Sequence, residues 1–410
     1  MGKPIESKLD NGLTVLYEYI PGVSVVSVQC WINTGSVNED EKISGISHFL
    51  EHMLFNGTKR FKPGEIDEYL DSRGGYNNAF TSTDVTNYYV TIPTEEAEAA
   101  YEVVSDMVFN ALLLQDEIDK EKPVVIQEIN RKYDDPSYKM WQDLQETLFL
   151  GTPYSRQIIG TSDNVNNFTR EEIVSYYNRF YHPENMTLVV VGDIEESKAM
   201  ELAKKYFNQR RDVEVGSRYK GDSKLDFKEN TNRKFQADVN VDYAVLSFPT
   251  GEQNLETVYA EEVFSEILSG GEYSLLNEIV KNQNQTAIYV TDIGLANRFN
   301  GLFGAMAIVV PGNAEKFRDE TLSIIKDISE GKIDSKSVEK AKNRLKSKNI
   351  YGAEQVSSLA QEIGYAYVLD FKDYYLNYVE GIDNVSIEDV AHIAKKMTEG
   401  PMYFGITSNA

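Results

Sequence analysis

The stretch His48–His52 reads His-Phe-Leu-Glu-His. Its two histidines are four residues apart, and Glu51 directly precedes the second one. On a helix, residues at this spacing share one face, so both imidazoles can bind the same metal ion. Apolar residues recur around them at three- and four-residue spacing, and Asn56-Gly57 is a typical stop signal. The stretch therefore predicts a short metal-binding helix, with Glu51 placed to take a proton from a water molecule.

A catalytic zinc ion usually has three protein ligands and an open position, so a third ligand must come from elsewhere. Cys30 lies in the apolar stretch 25–32, which predicts a buried strand, and a core cysteine is the better interpretation there. The segment 116–132 has the apolar spacing of a helix, on which Glu121 and Glu128 are two turns apart on one face. One can bind metal while the other orients a ligand, although spacing alone favours a solvated helix face for both.

The run Gly45–Thr58, Gly-Ile-Ser-His-Phe-Leu-Glu-His-Met-Leu-Phe-Asn-Gly-Thr, resembles the pitrilysin-type metallopeptidases, or inverzincins. This family includes the insulin-degrading enzyme and the mitochondrial processing peptidase. Segments 74–89 and 181–193 match family segments as well, and the resemblance covers nearly the whole chain. It implies a zinc-dependent endopeptidase that acts on peptides or unfolded segments.

The resemblance also implies a role for each site residue. The family's third ligand is a glutamate about 76 residues after the second histidine, which is the position of Glu128, and Glu121 fills the supporting position seven residues earlier. His48, His52 and Glu128 would then bind Zn²⁺. Glu51 would serve as the catalytic base, and Glu121 would support a ligand.

Composition narrows the class of protein. The chain has 410 residues, enough for two or three domains, and 41% of them are hydrophobic. No apolar run approaches the roughly 18 residues of a membrane helix, the first residues lack a signal-like apolar core, and one cysteine excludes an internal disulfide. We therefore expect a cytoplasmic protein.

The net charge of −24 argues against binding to nucleic acid, whose phosphates would be repelled. It is compatible with basic peptides, but solubility is the simpler explanation.

The second half restarts the plan of the first. Segment 242–251 echoes 27–35 as a strand followed by a turn, and a helix predicted over 255–268 corresponds to the metal helix but has no histidine. We predict an α+β protein with a metal-binding domain over 1–215, a linker over 216–234 and a homologous domain over 235–410. The resemblance implies that each domain is an antiparallel sheet with packed helices and that the two form a clamshell.

Substrate contacts are expected on the segment between Gly74-Gly75 and the strand predicted over 88–92. An edge strand there could pair with an extended peptide through its backbone, although spacing alone favours an ordinary structural strand. The resemblance implies that this segment holds the substrate, with Asn78 and Ala79 as main contacts and Phe80 and Thr81 beside them.

Two positions depart from the family. Many members carry an arginine seven residues before a tyrosine in the second half, whereas here Asn282 precedes Tyr289 at that distance, and Pro123 interrupts the helix of the two glutamates. A homologous subunit could supply the arginine in a heterodimer, or the chain could act as a homodimer. The alternative function is a non-catalytic peptide-binding or assembly subunit.

Overall fold

The computed structural model describes residues 2–210, 216, 218–221, 225–251, 254–255 and 257–409. The chain divides into two compact units. The first comprises Met1–Asn130, Arg156–Lys220 and Tyr351–Leu376, and the second comprises Arg131–Ser155, Gly221–Ile350 and Asn377–Ala410. Each unit therefore includes a segment from the other half of the sequence, which a single division at a linker does not provide.

The strands of the first unit are β1 Ile5–Lys8, β2 Thr14–Tyr19, β3 Val25–Ile32, β4 Tyr76–Thr81, β5 Thr86–Pro93 and β6 Met186–Gly192. Those of the second unit are β7 Thr231–Gln236, β8 Asp242–Thr250, β9 Ala287–Ala296, β10 Gly301–Val309 and β11 Tyr403–Ser408. They form sheets with strand orders β1-β2-β6-β3-β5-β4 and β7-β11-β8-β10-β9. From β2 onward the first order is repeated strand for strand by the second, so the predicted repeat of two homologous α+β domains is confirmed.

Each sheet also contains one parallel pair, which differs from the antiparallel sheets that we expected. β2 pairs with β6 in the first sheet, and β7 pairs with β11 in the second. In both cases more than a hundred residues separate the partners in sequence, as a parallel crossover requires. Residues 231–234 of the predicted linker belong to β7, while 211–215, 217 and 222–224 of the predicted boundary lie outside the described residues.

The α-helices, numbered along the chain, are α1 Ile46–Met53, α2 Glu65–Asp71, α3 Ala97–Asn110, α4 Gln115–Tyr133, α5 Tyr138–Leu148, α6 Ser162–Asn167, α7 Arg170–Phe180, α8 Glu196–Phe207, α9 Val258–Ser269, α10 Ala314–Ser329, α11 Ser335–Ala353, α12 Val356–Val368, α13 Lys372–Leu376, α14 Tyr378–Asn384 and α15 Ile387–Glu399. A π-helix covers Leu276–Gln283. Among the described residues, no helix combines the length and the apolar character needed to cross a bilayer.

Both faces of the first sheet are covered by helices. Along β3, Val26, Val28 and Cys30 lie in the core shared with α1 and α3, whereas Trp31 faces the opposite side, as strand alternation requires. There α12 packs across β3 and β6. It approaches so closely that a Cβ on Gly364 would lie 2.2 Å from the indole ring of Trp31. The late segment 351–376 is therefore an integral layer of the first unit.

Candidate metal centre

Helix α1 turns its apolar residues into the core of the first unit. Ile46, Phe49 and Met53 are fully buried in the same cluster, as their spacing predicted. The side chains of His48 and His52 keep 13% and 27% of their surface exposed. The burial of one face thus leaves both imidazoles together on the opposite face of the helix.

Glu128 of α4 meets these imidazoles. Its Oε2 lies 3.7 Å from His48 Nε2 and 3.6 Å from His52 Nε2, and one ligand atom from each of the three residues falls within 4.8 Å of the others. A tetrahedral ion with bonds of about 2.0–2.2 Å brings neighbouring ligand atoms to roughly 3.3–3.6 Å. The set therefore fits a zinc ion after small side-chain movements. Two imidazoles and one carboxylate are also a known ligand set of catalytic zinc.

Glu121, two turns before Glu128 on α4, contacts the ring nitrogen of His52 that does not face Glu128. Its Oε1 lies 2.9 Å from His52 Nδ1, and its Oε2 accepts a hydrogen bond from Asn56 Nδ2 at 2.7 Å. The hydrogen bond with His52 lowers the pKa of Glu121. Burial acts to lower the pKa of His52, but Glu121 and the nearby Glu51 and Glu128 raise it overall. A proton on Nδ1 leaves Nε2 free to bind metal.

The carboxylate of Glu51 lies beside this group without belonging to the ligand set. Its Oε2 accepts a hydrogen bond from Thr81 Oγ1 of β4 at 2.5 Å. Burial raises the pKa of Glu51, the Thr81 hydroxyl and the charge of His52 lower it, and Glu128 raises it. A carboxylate whose pKa is raised towards neutrality is a better proton acceptor than an exposed one.

Strand β4 lies at the edge of the first sheet, as predicted, and pairs only with β5 among the described strands. Its side chains alternate between the two faces. Ala79 packs against the core that contains α1, and Thr81 reaches Glu51, whereas Phe80 stacks on Tyr365 of α12 at 5.8 Å. Asn78 lies on the same face as Phe80. Of the predicted substrate contacts, Asn78 and Phe80 thus face away from Glu51, and the substrate role of all four stays a prediction.

Several other expectations concern residues outside this group. Cys30 is fully buried in the core, where burial strongly raises its pKa, so the core interpretation is confirmed. Helix α4 continues through Pro123. In the second unit, Asn282 is exposed in the π-helix, and Tyr289 is 47% exposed on the edge strand β9. Among the described residues, His48, His52 and Glu128 form the one group of histidine, cysteine and acidic side chains close enough for a metal ion.

Two contacts at this site were not predicted from the sequence. Asn56 is interpreted from the sequence only as a helix stop, but it lies just beyond the end of α1 and its Nδ2 donates a hydrogen bond to Glu121. Thr81 is predicted as a substrate contact, and the structure adds a hydrogen bond from its hydroxyl to Glu51. The strand period gives the face of Thr81 but not its partner, because the partner comes from a distant part of the chain.

The sequence matches two family profiles over most of its length. The profile described as Insulinase (Peptidase family M16) matches residues 14–162, and the one described as Peptidase M16 inactive domain matches residues 167–345. An uncharacterized zinc protease of Rickettsia felis is 28% identical over 399 residues, which cover 95% of this chain and 94% of that protein. An uncharacterized zinc protease of Bacillus subtilis, YmxG, is also 28% identical, over 389 residues that cover 94% of each.

Solved structures show the same fold. A protease from Helicobacter pylori aligns with a TM-score of 0.93 at 23% identity and covers 100% of both chains. An M16-like peptidase from Alicyclobacillus acidocaldarius aligns with a TM-score of 0.87 at 18% identity, covering 98% of this chain and 97% of that one. Both profiles agree with the relatives that match over nearly the whole chain, and the chain belongs to peptidase family M16.

Proposed function

We propose that this protein is a zinc-dependent endopeptidase that hydrolyses peptides or unfolded polypeptide segments. The observation that carries the proposal is the convergence of His48, His52 and Glu128 beside Glu51, a carboxylate that takes no part in the ligand set. The relatives named zinc proteases support the same conclusion.

Each residue has a distinct part in the proposed reaction. A zinc ion held by His48, His52 and Glu128 would supply Lewis-acid chemistry, which polarises a carbonyl and acidifies water. Glu51 accepts a proton from the attacking water and delivers it to the leaving amine. Glu121 holds His52 in the tautomer and orientation that present Nε2.

The substrate is proposed to bind as an extended strand along β4. The open edge of β4 offers backbone hydrogen-bonding groups, and the hydroxyl of Thr81 ties this strand to the catalytic base. Backbone pairing requires an unfolded segment and little particular sequence. Stably folded proteins should therefore resist cleavage.

The decisive experiment replaces Glu51 by glutamine and measures both zinc content and cleavage of an unstructured peptide. The amide keeps the shape of the side chain but cannot accept the proton at neutral pH. We expect normal zinc content and loss of hydrolysis, while Glu68→Gln, at an exposed glutamate of α2, should retain activity. Near-normal turnover in Glu51→Gln would remove Glu51 from the role of base.

A partner subunit is the second part of the proposal. Asn282 occupies the position at which related enzymes carry an arginine, and it is exposed in the second unit. We therefore propose a homologous subunit that supplies the arginine and tyrosine, with a self-sufficient homodimer as the competing assembly. The same exposed asparagine supports the alternative function, a non-catalytic peptide-binding subunit. Wild-type protein that holds zinc but cleaves no peptide, alone or with such a subunit, would favour that alternative.

A further inference from the structure

A buried carboxylate from outside α1 holds the N-terminal end of that helix. Glu39 is 5% exposed, its Oε2 accepts a hydrogen bond from the Gly45 amide at 2.8 Å, and its Oε1 accepts one from the Ser47 amide at 2.8 Å. The first amides of a helix have no partner within the helix, and Gly45, the residue before it, has no side chain that could supply one. One carboxylate therefore binds two of these amides.

The segment that carries Glu39 is itself fixed to the core. Arg156 Nη2 donates hydrogen bonds to the carbonyl oxygens of Glu39 at 2.6 Å and Ser36 at 3.3 Å. On the other side of the helix start, the Tyr176 hydroxyl lies 2.7 Å from Ser47 Oγ and 2.8 Å from Thr34 Oγ1. The start of α1 is thus joined to α7 and to the loop after β3 by buried polar contacts.

The backbone around residues 159 and 160 packs tightly against the N-terminal end of α1. Gly45 has a φ of +95°, and a Cβ there would lie 2.6 Å from the carbonyl oxygen of Ile159. The same Cβ would lie 2.9 Å from the Cα of Gly160, whose own φ is +72°. Only residues without a side chain allow this approach, which leaves little freedom for α1 to slide along its axis.

A neutral serine or threonine would satisfy a helix start at lower cost than a buried charge. Burial raises the pKa of Glu39 to about 6, although its hydrogen bonds with Ser47 and Gly45 and the charge of Arg156 act in the opposite direction. Burying this carboxylate therefore costs more free energy than the start of a helix requires. Its distinctive property is that it binds two amides at once, which fixes both the rotation and the axial position of α1.

We propose that Glu39 is a positioning residue for the metal centre, an inference that rests on the proposed function of that centre. The Ser47 amide that it binds belongs to the residue directly before His48, the first predicted ligand. A ligand nitrogen lies roughly 6 Å from the helix axis, so a rotation of about 10° moves it by ~1 Å. An error of this size is enough to spoil a preorganised site. Glu39 therefore keeps His48 and His52 in register with Glu128.

The test compares Glu39→Gln and Glu39→Ala with two controls. Asp40→Asn changes the neighbouring exposed carboxylate, which binds the amides of Lys42 and Ile43. Ser386→Ala removes the serine cap of α15 in the second unit and lowers stability without touching α1. Three quantities are measured: zinc affinity by competition with a chelator, the visible spectrum of the Co²⁺-loaded protein, and hydrogen exchange of segment 45–53 in the metal-free protein.

We expect Glu39→Gln to lower zinc affinity about 10-fold and Glu39→Ala up to about 100-fold, the range for residues that support ligands. The Co²⁺ bands should shift and exchange in 45–53 should accelerate, whereas both controls should match the wild type in all three measurements. If Glu39→Ala does not fold, Glu39→Gln decides alone. Affinity within twofold of wild type and an unchanged Co²⁺ spectrum would overturn the proposal. Wild-type protein that binds zinc but cleaves nothing would refute the proposed function and leave this inference intact.

Discussion

Replacing Glu121 by glutamine tests whether this residue orients a zinc ligand, His52, without binding zinc itself. The carboxylate accepts two hydrogen bonds, from His52 Nδ1 and from Asn56 Nδ2. A glutamine at this position has one acceptor oxygen, so its amide group must face one of these donors. We expect a loss of about 10–100-fold in zinc affinity, which corresponds to between roughly 1.4 and 2.7 kcal/mol. Glu128→Gln, which replaces a charged ligand, should cost clearly more.

The assay is competition with a chelator of known affinity, followed by zinc content after dialysis. Glu117→Gln is the matched control, because this glutamate lies one turn earlier on α4 and contacts Lys120 rather than a histidine. It should bind zinc like the wild type. The reasoning fails if Glu121→Gln also does so, or if it loses at least as much affinity as Glu128→Gln.

The pH dependence of zinc binding provides an independent measurement on the same variant. Burial acts to lower the pKa of His52, yet Glu121 and its acidic neighbours raise it above the usual 6.5. A protonated imidazole cannot bind metal, so affinity should fall as the pH decreases through this raised pKa. Without the charge of Glu121 the pKa of His52 drops, and the fall in affinity should begin at a lower pH. Superimposable pH profiles for wild type and Glu121→Gln would contradict this account.

Three further predictions concern other parts of the molecule. Thr81→Val removes the hydroxyl that lowers the pKa of Glu51, so the acidic limb of the pH profile of kcat/KM should move to higher pH. An unmoved limb would show that this hydrogen bond does not set the pKa of the catalytic base. In Gly364→Ala the added methyl group contributes about 1 kcal/mol of helix propensity, but it clashes with the indole of Trp31, and such overpacking costs about 1–3 kcal/mol. We therefore expect a lower denaturation midpoint than in the wild type, and a raised midpoint would show that α12 can shift away from Trp31. Asn282→Arg should raise the activity of the isolated chain by roughly 10- to 150-fold, the effect of one charge-assisted contact of about 1.5–3 kcal/mol. If neither this substitution nor the addition of a homologous subunit changes turnover, the proposal of a partner that supplies the arginine fails.

Local patterns in the sequence predicted the elements that carry the site. The helix at His48–His52 and the helix of Glu121 and Glu128 form where periodicity placed them, and the edge strand with Thr81 lies between Gly74-Gly75 and β5 as expected. Each helix depends on a burial pattern that repeats within about a dozen residues, and such a pattern is visible in a single sequence. The matching of the two halves was visible for the same reason, because the second half repeats the alternation of the first.

Contacts between distant segments were not predicted. Nothing near Glu39 in the sequence indicates that its carboxylate binds the amides of Gly45 and Ser47 rather than solvent. The pairing of Gly364 with Trp31 is likewise set by which helix covers the second face of the sheet. The period of a helix gives the side that is buried but not the surface that buries it. For this reason Glu128 is predicted as the third ligand by resemblance and not by its own spacing.

The exchange of segments between the two units has a consequence for fragments of the chain. Residues 131–155 lie before the linker but belong to the second unit, and 351–376 lie after it but belong to the first. A polypeptide that ends at the linker would lack α12 and leave Trp31 without its cover, so the two halves expressed separately should be insoluble. Expressed together, each half can complete the other. A single proteolytic cut between 216 and 221 should therefore give two bands on a denaturing gel and one species in native gel filtration.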